Sequence, residues 1–214
     1  MTVTLDAIDV ADAPESWARA GFSVDSRGTA DPLCRIGGVR IRLRDQGTGI
    51  LGWSLRGLPW DAPVEHLDGI PTTSSDRATT EPATHPNGVI AIDHVVLMSA
   101  DLDRTVASLA KIGVAARRER DGELGGRRIR QIFFRLGEVI LEVVGSPEST
   151  GDGASTLWGI TYVATDLDAT ARFFGDCAGP VKDAVQPGRR ITTLRHRDLG
   201  MTVPTAVISA TPRR

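Results

Sequence analysis

Two ionisable side chains stand where ionisable side chains are costly. Residues 89–97 (VIAIDHVVL) and 139–144 (VILEVV) are dense in β-branched residues and read as strands. A strand alternates its faces, so Ile92, His94 and Val96 share one face, as do Ile140, Glu142 and Val144. On faces this apolar, a histidine and a glutamate are expensive unless hydrogen-bonded, paired or bound to a metal. His94 and Glu142 are therefore the two best candidates for a site. Glu142 would act as a general base with His94 beside it in a proton transfer. The plainer alternative, that the two side chains only hydrogen-bond each other or the backbone, stays open.

The elements that must position this pair form a repeat. After the strand at 89–97, Ser99 or Asp101 can cap a helix whose Leu102, Val106 and Leu109 fall on one face. Strands at 114–118, 129–135 and 139–144 follow, around a Gly-rich hairpin at 121–126 and the Leu136-Gly137 turn. Beyond a Gly/Ser-rich break at 146–155 the order returns, with a strand at 158–164 and a helix opened by Asp166-Leu167-Asp168. That motif repeats Asp101-Leu102-Asp103 at an offset of 65 residues. Gly126-Arg127-Arg128-Ile129 recurs as Gly188-Arg189-Arg190-Ile191 at 62, and Leu136-Gly137 as Leu199-Gly200 at 63. A fainter copy is predicted at the N-terminus: strand 3–10, helix 14–20 with proline in its first turn, then strands at 22–25, 39–44 and 50–58. The fold class is thus α+β, with repeated βαβββ modules. A divergent module spans 1–58, residues 59–87 form a Pro/Thr/Ser-rich linker, and 88–214 hold two modules at 88–146 and 155–214.

The segments IDHVVLMSADLDRTV and LGEVILEVVGSPE resemble the first strand plus helix, and the last strand, of a module of the glyoxalase/bleomycin-resistance/dioxygenase (vicinal oxygen chelate) superfamily. The likeness covers about 120 residues. It implies that the two C-terminal modules pair their sheets into a cup, with metal ligands drawn from the first and last strand of each. His94 and Glu142 fall on two of those positions. The corresponding residues one module later are Gly159 and Thr205, with Ala206 adjacent, and none is a strong ligand. A two-ligand site holds a first-row metal weakly, so a divalent metal is not expected to be tightly bound. His196, and Thr161 two residues beyond Gly159, are candidate ligand-binding groups on cup-lining strands. So are Gln131 and Thr193, and Arg190 of the second arginine doublet, in which one guanidinium should point inward to meet a carboxylate or phosphate. Two functions stand side by side. One is a protein that binds a small oxygen-rich or anionic molecule in the cup, as the bleomycin-resistance branch does. The other is a metal-assisted lyase, isomerase or dioxygenase using His94 and Glu142.

Composition removes other classes. A net charge of −2 and a pI near 6.1 give no electrostatic reason to bind nucleic acid or an anionic membrane. No apolar run reaches membrane-spanning length and no basic flank precedes an apolar stretch, so a cytoplasmic location is expected. Cys34 and Cys177 are isolated, without the short spacings of zinc sites. The glycine-rich GTGILG and GELGG do not join a strand to a helix, as a nucleotide loop must, and no serine sits in a Gly-x-Ser-x-Gly setting. A small-molecule ligand is the expected partner. A homodimer is also expected, because Ile50, Leu51, Trp53 and Leu55 crowd a strand of a module that has no partner of its own.

Overall fold

The structure, a computed structural model, describes residues 2–25, 31–59 and 64–211. Residues 60–63 of the expected linker and 212–214 of the last module lie outside these. The N-terminal part runs β1 (Thr4–Val10), α1 (Pro14–Arg19), β2 (Val24–Asp25), β3 (Leu33–Ile36), β4 (Val39–Leu43), β5 (Ile50–Arg56), β6 (His66–Leu67) and β7 (Ile70–Ser75). Next come β8 (Val89–Met98), α2 (Leu102–Lys111), β9 (Arg118–Leu124), β10 (Arg127–Leu136) and β11 (Val139–Gly145). The last module is β12 (Thr156–Ala164), α3 (Leu167–Phe174), β13 (Lys182–Asp183), β14 (Arg190–Leu194) and β15 (Thr205–Ser209). Asp101 and Asp166 cap their helices as the sequence predicts, accepting from Arg104 N at 3.0 Å and Ala169 N at 2.9 Å.

The repeat is visible in the strand order of the C-terminal sheet, β13-β14-β15-β12-β8-β11-β10-β9. Each module places its first strand parallel to its last (β8 with β11, β12 with β15), and the two first strands meet antiparallel at the centre. The two modules are therefore related by a pseudo-two-fold axis between β8 and β12. The N-terminal sheet, β2-β3-β4-β1-β5-β7-β6, has the same plan: β1 is parallel to β4, β5 parallel to β7, and β1 meets β5 antiparallel.

This arrangement revises the sequence reading in three places. The last strand of the N-terminal module is β4, and β5 instead opens a second, helix-less module whose other strands, β6 and β7, lie within the stretch expected to be linker. Trp53 and Leu55, which suggested a surface for a second copy, are buried in the chain's own core. Within the third module, β9 runs through the expected 121–126 hairpin, and the reversal falls at Gly125-Gly126.

One hydrophobic cluster joins both sheets, and Trp17 of α1 is central to it. Trp17 is fully buried, donates from Nε1 to Asp12 at 3.0 Å, and packs its ring on Phe22 and on Tyr162 of β12. Polar ties add to this joint. Asp68, between β6 and β7, accepts from Arg104 and Ser155 at 2.5 Å each and from Thr105. His85 lies buried against Phe22, accepts the Ser23 N–H on Nδ1 at 3.0 Å, and places Nε2 3.2 Å from the Arg35 carbonyl.

That setting makes a pH prediction. Burial lowers the His85 pKa from its ordinary value, against a smaller opposing contribution from the Arg35 carbonyl. A base whose folded pKa lies below its unfolded value leaves stability intact above about pH 6.5 and erodes it as pH falls. The urea midpoint is expected to drop between about pH 7 and about pH 5, and His85→Gln should flatten that slope. An equal slope in the variant would assign the acid sensitivity elsewhere.

Candidate functional site

The concave face of the C-terminal sheet holds His94 and Glu142, both largely buried, with Nε2 of the one 3.5 Å from Oε2 of the other. They are diagonal neighbours on adjacent parallel strands, since His94 lies opposite Ile140 and Glu142 opposite Val96. Glu142 Oε1 accepts from Nε2 of Gln131, whose Oε1 accepts from Arg120 Nε at 2.8 Å. Three of the residues singled out from the sequence, His94, Glu142 and Gln131, thus lie beside one another, and Thr161 lies directly across from His94 in the register, buried.

Asp93 was missed. Strict alternation would turn it away from His94, but β8 is irregular at this point: Thr161 pairs with His94 and Tyr162 with Ile92, leaving Asp93 as a bulge. A bulge breaks the period of two and re-aims a side chain. Asp93 Oδ2 lies 2.8 Å from His94 Nδ1, and Asp93 Oδ1 accepts from Arg189 Nη1 at 2.5 Å. Burial would raise the Asp93 carboxyl, but the hydrogen bonds from His94 and Arg189 and their charge outweigh it and hold the group below the usual carboxylate value. Arg189 is itself fixed by the Ser209 carbonyl at 2.7 Å and Gln186 Oε1 at 3.0 Å.

Of the second arginine doublet, then, the inward member is Arg189 and not Arg190. Arg189 precedes the strand and reaches Asp93 with its guanidinium, whereas Arg190 pairs with Asp168 of α3 at 2.7 Å on the surface. Thr193 is exposed on β14. His196 stands at the start of a 3-10 turn, His196–Leu199, rather than on a strand. These three do not line the cavity around His94.

That cavity, of about 210 Å³, is walled by His94, Glu142, Gln131, Arg120, Arg118 and Phe133 on one side and by Val185, Gln186, Ile191 and Ile208 of the last module on the other. A second hollow of about 520 Å³ shares Arg118, Phe133 and Gln186 with it and adds Arg117, Arg135 and Ile140. The Arg118 guanidinium lies over the Phe133 ring, 4.9 Å from its centre. Arg117 and Arg118 form no ion pair with any described residue.

The pseudo-two-fold sets the limits of the site. The four modules carry equivalent bulges at Asp6, Leu51, Asp93 and Trp158, each just before the position that His94 occupies in the third. That position is Ala7 in the first module and glycine in the second and fourth. A Cβ on Gly52 would meet the Pro71 carbonyl oxygen at 2.7 Å, and one on Gly159 the Pro204 oxygen at 2.7 Å. The residue equivalent to Glu142 is Ala206, one place on from the Thr205 that the sequence offset suggested, because Thr161 pairs with Ala206 as Val96 pairs with Glu142. In the N-terminal sheet the equivalent face carries ion pairs, Asp9 with Arg42 and Arg44 at 2.6 Å each and Asp6 with Arg40 and Arg56.

Among solved structures, a triple mutant of 4-hydroxymandelate synthase from Streptomyces coelicolor matches 99% of this chain and 93% of its own, at 15% identity and a TM-score of 0.68. Catechol 2,3-dioxygenase matches 100% and 91%, at 12% identity and a TM-score of 0.64. A xylose isomerase-like TIM barrel/4-hydroxyphenylpyruvate dioxygenase fusion protein matches 99% of this chain over 49% of its own length, at 14% identity and 0.63. No protein-family model and no curated protein sequence matches the chain.

Proposed function

The chain has the vicinal oxygen chelate fold, and from that premise we propose that the cup between its third and fourth modules binds a small oxygen-bearing anion, a carboxylate, without a complete metal site. The observation that carries this reading is the pair Arg117 and Arg118, neither in an ion pair with a described carboxylate: Arg118 lines the cavity of His94 and Glu142, and Arg117 lines the neighbouring hollow that shares Arg118, Phe133 and Gln186 with it. Arginine left unpaired beside a cavity with both polar and apolar walls suits bidentate capture of a carboxylate. Phe133, Ile191 and Ile208 supply the apolar wall for the rest of the molecule.

A metal fits this donor set poorly. The positions that would complete the ligand set in the fourth module are Gly159, closed off by the Pro204 carbonyl, and Ala206. His94 and Glu142 alone fall short of the three or four protein ligands a first-row ion takes in such sites. No described group of three or more His, Cys, Asp or Glu side chains converges on one point. Metal-assisted lyase, isomerase or dioxygenase chemistry through His94 and Glu142 is the competing reading.

Calorimetric titration of the chelator-treated protein with benzoate is expected to show saturable binding. Arg118→Gln should weaken it by about tenfold or more, the scale of one lost charge-assisted contact. Equal affinity in the variant would remove Arg118 from the site.

A further inference from the structure

Resting on that binding reading, we propose that Asp93 and Arg189 are positioning residues that hold His94 as a proton acceptor, so that the cup moves a proton to and from carbon in an enolisable carboxylic acid without a metal. An ionised carboxylate only accepts hydrogen bonds. With Asp93 Oδ2 2.8 Å from Nδ1, the hydrogen of a neutral His94 ring sits on Nδ1, and the Nε2 lone pair faces the cup. The 3.5 Å between Nε2 and Glu142 Oε2 agrees with this, being long for a nitrogen donating to a carboxylate. The Asp93 carboxylate cannot swing away, because Arg189 holds its other oxygen and is anchored in turn to Ser209 and Gln186. The fourth module, which supplies neither a histidine nor a carboxylate at the equivalent positions, contributes through this arginine.

The step balances without an oxidant. The C–H bond next to the substrate's carbonyl breaks and its proton goes to His94 Nε2. The electron pair forms C=C while the carbonyl oxygen takes the charge as an enolate, and return of a proton from Nε2 restores the C–H bond. The positive charge on the imidazole then lies between Asp93 and Glu142. Arg118 pairs across the strands with Phe133, and Phe133 with Glu142. Arg118 is thus two strand spacings from Glu142 and three from His94, roughly 14 Å between backbones, a span that the side chains reaching into the shared cavity shorten.

The probe is phenylpyruvate in D2O with chelator-treated protein, following deuterium at its methylene by NMR. Exchange above the buffer rate is expected. Asp93→Asn should cut kcat by about 100-fold or more with KM changed less than about threefold, since a wrongly held tautomer costs turnover and not binding. Arg189→Gln, kept as a second variant should Asp93→Asn fold poorly, should cut kcat by about tenfold, and Arg190→Gln on the surface should change nothing. Nitrogen-15 spectra of the ligand-free protein should show His94 with its hydrogen on Nδ1, moved to Nε2 in Asp93→Asn. A wild-type hydrogen on Nε2, an unchanged kcat in Asp93→Asn, or exchange that appears only on adding a divalent metal would each overturn the proposal. If benzoate binds and exchange is absent, proton transfer fails and the binding reading stands. If benzoate does not bind, both fail.

Discussion

Trp17→Ala is expected to lower the free energy of unfolding by about 3–5 kcal/mol, the cost of emptying a large, fully buried aromatic site. The ring is inaccessible to solvent, and it lies against both Phe22 of its own module and Tyr162 of the fourth. Its loss also removes one donor from the buried Asp12, leaving that carboxylate with Thr202 alone among its described partners. Because the cavity would open at the joint between the sheets, both halves should lose stability together. Urea unfolding of wild type and variant, followed by circular dichroism, should show single transitions with a lower midpoint in the variant. A loss under about 1 kcal/mol, or a variant that unfolds in two separate steps, would mean that the joint does not couple the sheets through Trp17.

Much of the frame was legible in the sequence because local signals and tertiary demands agreed there. Residues 89–97 alternate little and are β-branched, as a central strand buried on one face and half-covered on the other requires, and Asp101 and Asp166 announce their helices by their capping chemistry. The same regularity exposed His94 and Glu142. What failed did so for identifiable reasons. Strand β7 reads IPTTSS, with proline and hydroxyl residues where a strand signal should be, and it is held by pairing with β5 and by the Trp53 to Thr72 hydrogen bond of 2.8 Å rather than by its own propensity. Asp93 was hidden because a bulge is one extra residue, which shifts the period of two for the residues on its far side, so that Ile92 no longer shares a face with His94. The choice between Arg189 and Arg190 turned on where β14 begins, and strand ends are the least readable part of an element.

The largest functional contrast concerns Gly159. In the fourth module it stands where His94 stands in the third, and its backbone lies too near the Pro204 carbonyl for any side chain to enter without moving β15. The same close approach recurs between Gly52 and Pro71 in the second module, whereas the equivalent positions of the first and third modules carry the side chains of Ala7 and His94. The cup presents the imidazole of His94 and the carboxylate of Glu142, held by Asp93, Arg189 and Gln131, and we propose that they do not make a complete metal site. Elemental analysis of the purified protein, repeated after incubation with manganese, iron and zinc salts and gel filtration, tests this directly. Metal well below one equivalent per chain is expected under every condition, with benzoate binding unchanged by chelator. One tightly held equivalent per chain that disappears in His94→Ala would contradict it.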